Sequence, residues 1–345
     1  MTLSPRELNF KMPAEWSLHE RTFISWPVKE SMCYPDLINH VVRGYLEICN
    51  AIAEFEPVTI LVNPDEWVSV QSLFKNDMIQ TISIEHNDAW LRDNGPTFLI
   101  NKDGVRAGVN WQFNAWGGKY FPWDLDDAVA PKLLQQLEMQ TFHAPLVMEG
   151  GSIHTDGEGT LLTTEECLLN PNRNPHLKRE QIELYLRDYV NVDNIIWLRR
   201  GLAGDETDGH IDNVACFAAP GKIILQVCSD PNDENYIISR ENLHRLQHTK
   251  DARGRSLDIV TIEQPPASYY QGQRLTLSYL NFYFVNGGII LPVFGGATDE
   301  TDRQAEATLQ HCFPDRRIRT IDGMAIIREG GNIHCTTQQL PAGKL

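Results

Sequence analysis

The stretch SIHTDGEGTLLT, residues 152–163, has two short apolar runs on either side of an Asp-Gly-Glu-Gly turn. Glycine supplies turn conformations that other residues resist, so this pattern predicts a β-hairpin. The same signal recurs in TFLINKDGVRAGV (97–109), NVACFAAPGKIILQ (213–226) and NFYFVNGGIILP (281–292). The four hairpins begin roughly 55 to 70 residues apart, which indicates an internal repeat of about sixty residues.

A helical pattern and then a lone apolar strand follow each hairpin, and this alternation is typical of an α/β protein. The predicted helices are 38–55, 66–75, 127–139, 177–190, 240–248 and 303–312. The predicted lone strands are 22–26, 58–62, 79–84, 195–198, 259–261 and 318–321. The acidic stretch 230–236 is predicted to be a surface loop.

A repeat of this length is too long for the common solenoids and favours a ring of modules. The fifth hairpin appears only when the two ends of the chain are joined, with residues 332–337 paired against 22–26. Such pairing closes the ring and leaves no free sheet edge there. Four unrelated hairpins in an ordinary mixed sheet are the alternative. No linker or low-complexity stretch divides the chain, so residues 1–345 are expected to form one domain.

The composition is that of a globular protein, with 42% hydrophobic and 22% charged residues. The net charge of −16 argues against a nucleic-acid partner and favours either solubility alone or capture of a small cation. Seven scattered cysteines without a C-x-x-C pair indicate neither a disulfide framework nor a thiolate zinc site. Without a signal-like segment or a long apolar run, we expect a cytoplasmic protein with no membrane partner.

Polar phrases precede the hairpins and would gather at one end of a ring. They are DAWLRDNGP (88–96), EGG (149–151), GDETDGHIDN (204–213) and EGGNIHC (329–335). Cys335 is the candidate nucleophile, because its neighbours are polar whereas those of Cys49 and Cys216 are apolar. Catalysis by this thiol requires a nearby base or a cation that favours the thiolate.

His210 is the candidate base, since His210 and Asp212 are two apart and would share one side of an extended backbone. His334 is disfavoured, because neighbours in a strand point to opposite faces. Asp93 stands at a hairpin mouth, and Glu149 precedes two glycines that let the backbone approach a ligand. Asp93 and Glu149 each also fit the alternative interpretation of an ordinary turn or helix-capping residue.

A cysteine, a histidine and three carboxylates suit a planar cation with several N–H donors. Guanidinium is the obvious case, because carboxylates accept its paired donors in bidentate geometry. Two aspartates would grip its nitrogens and leave its carbon open to the thiolate.

At this point the chain closely resembles a known family, the agmatine deiminases of the guanidine-modifying pentein superfamily, which are akin to the bacterial peptidylarginine deiminases. The resemblance runs from the first turn to the last. It lies in MPAEWSLHERTFISWP (12–27), DAWLRDNGPTF (88–98), EGGSIHTDGEGTLLTTEECLLNPNRNP (149–175), DETDGHIDN (205–213) and GGNIHCTTQQLP (330–341).

The resemblance implies a five-fold pseudo-symmetric α/β propeller around a central pocket. By position it implies Cys335 as nucleophile, His210 as general acid and base, and Glu149 as the carboxylate partner of the histidine. It also implies Asp93 and Asp212 as guanidinium clamps. The implied reaction converts agmatine to N-carbamoylputrescine and ammonia, a step of polyamine synthesis, without metal or organic cofactor.

The resemblance further implies that Trp90 lines the pocket and that Glu206 contacts the distal ammonium of the substrate. One departure is visible, because Asp208 stands where many relatives have asparagine. A homo-oligomer is a further expectation.

Three alternatives stay open at this stage. The first is a deiminase of free or peptidyl arginine, although an arginine carboxylate would require a cationic contact. The second is metal-dependent hydrolysis with His154 and Asp156, or His210 and Asp212, as ligands. The third is a non-catalytic guanidine-binding propeller protein.

Overall fold

The computed structural model describes residues 3–344, and within them short strands alternate with helices. The strands are Phe10–Lys11 (β1), His19–Ser25 (β2), Val58–Val62 (β3), Ile79–Ser83 (β4), Thr97–Asn101 (β5), Arg106–Gln112 (β6), Gln140–Val147 (β7), His154–Thr155 (β8), Thr160–Thr164 (β9), Asn194–Leu198 (β10), Ala215–Ala219 (β11), Lys222–Val227 (β12), Asp258–Glu263 (β13), Tyr269–Tyr270 (β14), Gln273–Arg274 (β15), Tyr283–Val285 (β16), Gly288–Val293 (β17), Arg317–Asp322 (β18) and Thr337–Pro341 (β19).

The longer helices carry the amphipathic patterns, and short helical turns connect the remaining segments. The helices are Ile38–Ala53 (α1), Trp67–Leu73 (α2), Leu91–Asn94 (α3), Ala115–Gly118 (α4), Asp124–Asp127 (α5), Val129–Gln136 (α6), Glu165–Leu168 (α7), Arg179–Val190 (α8), Glu234–Gln247 (α9), Asp299–Cys312 (α10), Met324–Ile327 (α11) and Ile333–Thr336 (α12). Single 3₁₀ turns include Gly150–Ser152 and Ile211–Asn213.

Five sheets of the described chain share one pattern, in which an antiparallel pair is followed by a strand parallel to its second member. They are β5-β6-β7, β8-β9-β10, β11-β12-β13, β16-β17-β18 and β19-β2-β3. The four predicted hairpins are therefore present, and each is joined by the lone strand that follows its helix. This mixed α/β arrangement explains the short, continuous apolar runs, because strands such as β3 are buried along their whole length.

The two ends of the chain pair with each other, as predicted. The C-terminal strand that pairs with β2 is residues 337–341, however, and not the predicted 332–337. Strand β19 runs antiparallel to β2 and pairs Thr337 with Ile24, whereas residues 332–336 were also expected in the strand. These residues instead form a helical turn, because the Asn332 side chain accepts the Ile333 N–H at 3.1 Å and caps it. The premise that His334 and its neighbour lie on opposite faces of a strand was therefore wrong.

Two helices begin earlier than their apolar pattern predicted. Helix α9 starts within the expected loop 230–236, because the Asp233 carboxylate accepts the Asn235 N–H at 2.9 Å. Helix α10 begins at Asp299, and the prediction missed this start because the first turn is polar and carries no apolar periodicity. Within the predicted helix 127–139, the structure has α6, which is shorter and spans Val129–Gln136, and the separate short helix α5 ends at Asp127.

The buried residues pack between the sheets and the helices that cover them. Helix α1 presents Val41, Tyr45, Ile48 and Ile52 to one such cluster at the spacing of an amphipathic helix. Within residues 3–344, helices long and apolar enough to cross a bilayer are absent.

Candidate active site

The predicted polar phrases lie in turns that each precede one strand of an antiparallel pair. Helix α3 precedes β5, the turn Gly150–Ser152 precedes β8, the turn Ile211–Asn213 precedes β11, and α12 precedes β19. The structure brings the side chains of these turns together in one buried centre. His210 precedes the 3₁₀ turn Ile211–Asn213 and Asp212 lies within it, whereas an extended backbone was expected.

Cys335 lies in α12 and is 4% exposed. The Asn281 amide nitrogen donates to its sulfur at 3.2 Å, and the sulfur lies 3.6 Å from Asp212 Oδ2. Burial raises the pKa of the Cys335 thiol well above its ordinary value, and the charges of Asp212 and Asp93 add to this effect. The thiol is therefore protonated and neutral at pH 7.

Asp93 is held by two donors that leave it facing the pocket. The Trp116 indole N–H donates to Oδ2 at 2.9 Å, and the Gly151 N–H donates to Oδ1 at 3.0 Å. Burial raises the pKa of this carboxyl group from 3.8 to about 6, although nearby His210 opposes the change. Asp93 is therefore mostly ionised at pH 7, although its pKa of about 6 lies close to that pH.

Asp212 belongs to a buried chain of ion pairs that reaches the N-terminal segment. His334 Nδ1 lies 2.9 Å from Asp212 Oδ2, and His334 Nε2 lies 2.9 Å from Glu15 Oε1. Burial alone would raise the pKa of Asp212, but the contact with His334 lowers it below the ordinary value. Asp212 Oδ1 has no hydrogen-bond partner among the described residues, so one oxygen stays free for a ligand.

His210 is fully buried between two carboxylates. Its Nδ1 lies 3.7 Å from Asp93 Oδ1, and its Nε2 lies 3.5 Å from Glu149 Oε2. Burial alone would lower the pKa of His210, yet Asp93, Cys167 and Glu149 raise it well above 6.5. The imidazole therefore carries a proton that it can give to a leaving group.

Glu149 is kept ionised by Arg173, which sequence reasoning missed. Arg173 Nε donates to Glu149 Oε1 at 2.7 Å. Burial alone would raise the pKa of Glu149, but the Arg173 guanidinium lowers it to about 2. Arg173 also binds Asp208 at 2.5 Å, and Lys119 binds Asp208 at 2.8 Å. The unusual Asp208 charge is therefore compensated by two cations.

Two glycines permit the close approach that the repeated EGG phrase suggested. A Cβ atom on Gly151 would lie 2.7 Å from His210 Nδ1 and 2.8 Å from Asp93 Oδ1. A Cβ atom on Gly331 would lie 2.4 Å from the Trp90 ring. Any larger residue at either position would displace the side chains of the centre.

A pocket of about 610 Å³, including its open mouth, leads to Cys335. Trp90 and Asp93 line it. Glu206 also lines it and accepts a hydrogen bond from Tyr120 at 2.7 Å. Two further acids that sequence reasoning missed, Asp88 and Glu329, line the same pocket.

Glu329 is 7% exposed, and its Oε1 has no hydrogen-bond partner among the described residues. The Tyr34 N–H donates to its other oxygen at 3.2 Å. This carboxylate is thus anchored on one side, and its second oxygen remains available to a cationic ligand.

The two residue pairs of the metal-dependent alternative have other structural roles. Asp156 Oδ1 accepts the N–H groups of Glu158 and Thr160 at 2.8 and 2.9 Å, so it shapes the hairpin turn. His154 Nε2 lies 3.6 Å from Glu15. Asp212 is paired with His334, as described above. Among the described residues, three potential metal ligands meet only at Glu149, Cys167 and His210.

Comparison with known proteins gives full-length matches. The Porphyromonas-type peptidyl-arginine deiminase family matches residues 11–341. A Legionella pneumophila protein (strain Philadelphia 1), provisionally named an agmatine deiminase, is 49% identical over 99% of this chain and 97% of its own length. The agmatine deiminase of Stutzerimonas stutzeri is 42% identical over 99% of this chain and 98% of its own length.

Among solved structures, the agmatine deiminase of Enterococcus faecalis aligns with a TM-score of 0.93 at 36% identity, covering 99% of this chain and 98% of its own. The two proteins therefore share one mixed α/β fold. The family match and these relatives cover nearly the whole chain. This chain thus belongs to the Porphyromonas-type peptidyl-arginine deiminase family.

Proposed function

We propose that this protein is an agmatine deiminase, which hydrolyses the guanidinium group of agmatine to N-carbamoylputrescine and ammonia. The full-length relatives named agmatine deiminase support this activity. The observation that carries it is the placement of Cys335 in a pocket that also presents Asp93, with Asp212 3.6 Å from the sulfur. A guanidinium held by two aspartates there would present its carbon to the sulfur.

In the first half of the reaction the guanidinium binds to Asp93 and Asp212 through charge-assisted hydrogen bonds. Its positive charge offsets the two carboxylates that keep the Cys335 thiol protonated, so the thiol releases its proton to water and the thiolate forms as the substrate binds. The sulfur attacks the guanidinium carbon and forms a C–S bond. His210 donates its proton to one amino nitrogen, the C–N bond breaks, and ammonia leaves.

The second half returns the enzyme to its starting state. The neutral imidazole of His210 takes a proton from water, and the hydroxide attacks the carbon of the amidino-thioether intermediate. The C–S bond breaks, the hydroxyl proton of the intermediate passes to the departing sulfur and restores the thiol, and the carbamoyl product retains the new oxygen. Glu149 stabilises the imidazolium throughout, since Arg173 keeps its carboxylate ionised. Asn281 stabilises the thiolate by donating to sulfur.

The acids of the pocket favour agmatine over arginine. Agmatine is a dication, and Glu206 and Glu329 offer carboxylates to its distal ammonium. The α-carboxylate of free arginine would meet these negative charges, and a peptidyl arginine would place an uncharged backbone against them. The charge of the pocket therefore disfavours the alternative of a deiminase that acts on free or peptidyl arginine. The alternative of a non-catalytic binding protein is also disfavoured, because it gives no role to the arrangement of Cys335 and His210.

We further propose that the chain forms one domain with a five-fold propeller. Five sheets with the same antiparallel and parallel pattern support this arrangement, as does the pairing of the two chain ends. The sheet topology also agrees with the sixty-residue repeat. We also propose that the enzyme acts in the cytoplasm, that it forms a homo-oligomer, and that its reaction belongs to polyamine synthesis.

The test is incubation of the purified protein with agmatine, arginine and an arginine-containing peptide. Ammonia, urea and carbamoyl product are measured for each substrate, with and without a chelator. We expect ammonia and N-carbamoylputrescine from agmatine alone, loss of both in Cys335→Ala, and no effect of the chelator. Cys312→Ser, at a half-buried cysteine outside the pocket, is the control. Release of urea, or activity that survives in Cys335→Ala, would refute the thiol mechanism.

A further inference from the structure

A buried cysteine that the mechanism does not use lies beside the proposed acid and base. Cys167 Sγ is 3.8 Å from Glu149 Oε2, and His210 Nε2 is 3.5 Å from the same oxygen. One potential ligand atom from each of Glu149, Cys167 and His210 lies within 4.8 Å of the other two. Cys167 and His210 are both fully buried.

These separations are close to those that zinc imposes on its ligands. Tetrahedral Zn²⁺ holds thiolate sulfur at about 2.3 Å and imidazole nitrogen or carboxylate oxygen at about 2.0 to 2.2 Å, so neighbouring ligand atoms lie roughly 3.3 to 3.6 Å apart. Of the two measured distances, 3.5 Å falls within that range and 3.8 Å lies slightly above it, while the Cys167–His210 separation is at most 4.8 Å. Small side-chain shifts would therefore complete a three-ligand site.

Two independent observations mark this cluster as ready for a ligand. Both ring nitrogens of His210 lack a hydrogen-bond partner among the described residues, although the side chain is fully buried. In addition, Arg173 Nε holds Glu149 Oε1 at 2.7 Å, which leaves Oε2 turned toward Cys167 and His210. An outer partner that orients a carboxylate ligand in this way is typical of metal sites.

We propose that Glu149, Cys167 and His210 form an inhibitory Zn²⁺ site. Binding displaces the protons of the Cys167 thiol and of His210, so the imidazole can no longer exchange protons with substrate or water. The Arg173 guanidinium opposes the incoming cation, while Asp93 and Asp212 favour it. The inhibition rests on the proposed role of His210, but the binding of the metal does not.

Metal binding is tested first, without reference to activity. Cys335→Ala removes the proposed nucleophilic thiol, while Cys33 remains as another cysteine that lines the pocket, and Co²⁺ serves as the spectroscopic probe of metal binding. We expect a near-ultraviolet thiolate-to-cobalt band that disappears when Cys167→Ser is added and persists when Cys228→Ser is added. Cys228 is a matched control, because it is also buried and free. A band that survives in Cys167→Ser would overturn the proposal.

A second measurement does not depend on folding of the Cys167 variant. X-ray absorption of zinc-loaded Cys335→Ala should show one sulfur at about 2.3 Å together with nitrogen and oxygen ligands. A coordination shell without sulfur contradicts the site. This result stands whether or not the protein proves to hydrolyse agmatine.

Inhibition is then measured in buffered free Zn²⁺. We expect Cys167→Ser to need more than about tenfold higher free zinc for half-inhibition than the unsubstituted enzyme, since even the loss of an outer partner costs 10- to 100-fold in metal affinity. Each variant is compared with its own zinc-free rate, and chelator should restore that rate. Equal zinc sensitivity of Cys167→Ser and the unsubstituted enzyme would show that zinc acts elsewhere.

Discussion

The Asn281 amide nitrogen donates to the sulfur of Cys335 at 3.2 Å, across 54 positions of sequence. Asn281 Oδ1 also accepts the His334 N–H at 3.0 Å. One side chain therefore fixes the turn that carries the cysteine and supplies a hydrogen-bond donor to its sulfur. Asn281 precedes β16 and so corresponds in position to the polar turns that precede the other hairpins.

Replacing Asn281 by aspartate should keep the acceptor, remove the donor and add a negative charge beside the sulfur. We expect kcat to fall by about 10- to 100-fold, since a hydrogen bond to a charged group contributes about 1.5 to 3 kcal/mol. Alkylation of Cys335, followed by mass spectrometry across pH, should show a higher thiol pKa. An unchanged alkylation profile in this variant would rule out the donor role.

Asp93 should give agmatine binding a pH dependence below neutrality. Burial raises the pKa of Asp93 to about 6 in the free protein. Only the ionised form attracts the guanidinium, so affinity should fall by about tenfold per pH unit as the pH decreases below 6. Calorimetric titration of Cys335→Ala with agmatine from pH 5 to 7 measures this loss.

The matched variant adds Asp93→Asn to Cys335→Ala. Its agmatine affinity should be weak, and the decrease near pH 6 should be absent because no carboxyl group titrates at this position. A decrease of the same size in both proteins would assign the titration to another group.

Glu329→Gln should weaken discrimination between agmatine and arginine. The buried Oε1 atom of Glu329 has no partner among the described residues and lies in the wall of the pocket. The neutral amide should raise KM for agmatine by about tenfold, which corresponds to about 1.4 kcal/mol, and affect kcat less. Steady-state kinetics with both substrates measures the ratio of kcat/KM values.

Glu300→Gln is the control for the change in net charge, because Glu300 is exposed on α10. It should leave the ratio unchanged. If Glu329→Gln alters kcat and leaves KM unchanged for agmatine, Glu329 does not hold the distal ammonium.

Glu15 should affect the ionisation of Asp212 indirectly, because His334 lies between the two carboxylates and contacts both. Glu15→Gln keeps the shape and removes the charge that helps to raise the pKa of His334, so the alkaline limb of the pH–rate profile should move to lower pH. Glu15→Ala leaves the buried Arg92 guanidinium without its carboxylate partner and should lower the free energy of unfolding by about 3 to 5 kcal/mol. An unshifted pH profile in a folded Glu15→Gln protein would limit Glu15 to a structural role.

Local patterns were sufficient for the hairpins and for several candidate residues. The turn glycines and the apolar runs predicted all four hairpins, because both signals act within a few residues. The polar phrases identified Cys335, His210, Glu149, Asp93 and Asp212 as a group, and the structure brings these side chains together. Their individual roles stay predictions until the variants are measured.

Two predicted boundaries were wrong because a capping side chain changed the backbone where the hydrophobic pattern alone had been used. The Asn332 cap turned part of the predicted final strand into a helical turn, and the Asp233 cap moved the start of α9 into a predicted loop. Hydrophobic periodicity does not register such caps, because a cap depends on one side-chain hydrogen bond to the backbone.

The local sequence thus specified the repeated units and most of the polar side chains at their corners, because turns, helices and strands form from neighbouring residues. Contacts between distant segments specified the electrostatics of the centre. Arg173 keeps Glu149 ionised. Glu15 contacts His334, which in turn contacts Asp212. Asn281 donates to the sulfur of Cys335, and these partners lie 24 to 319 positions apart in the sequence. Burial and charge act through space, so their effects on each pKa arise only in the folded chain.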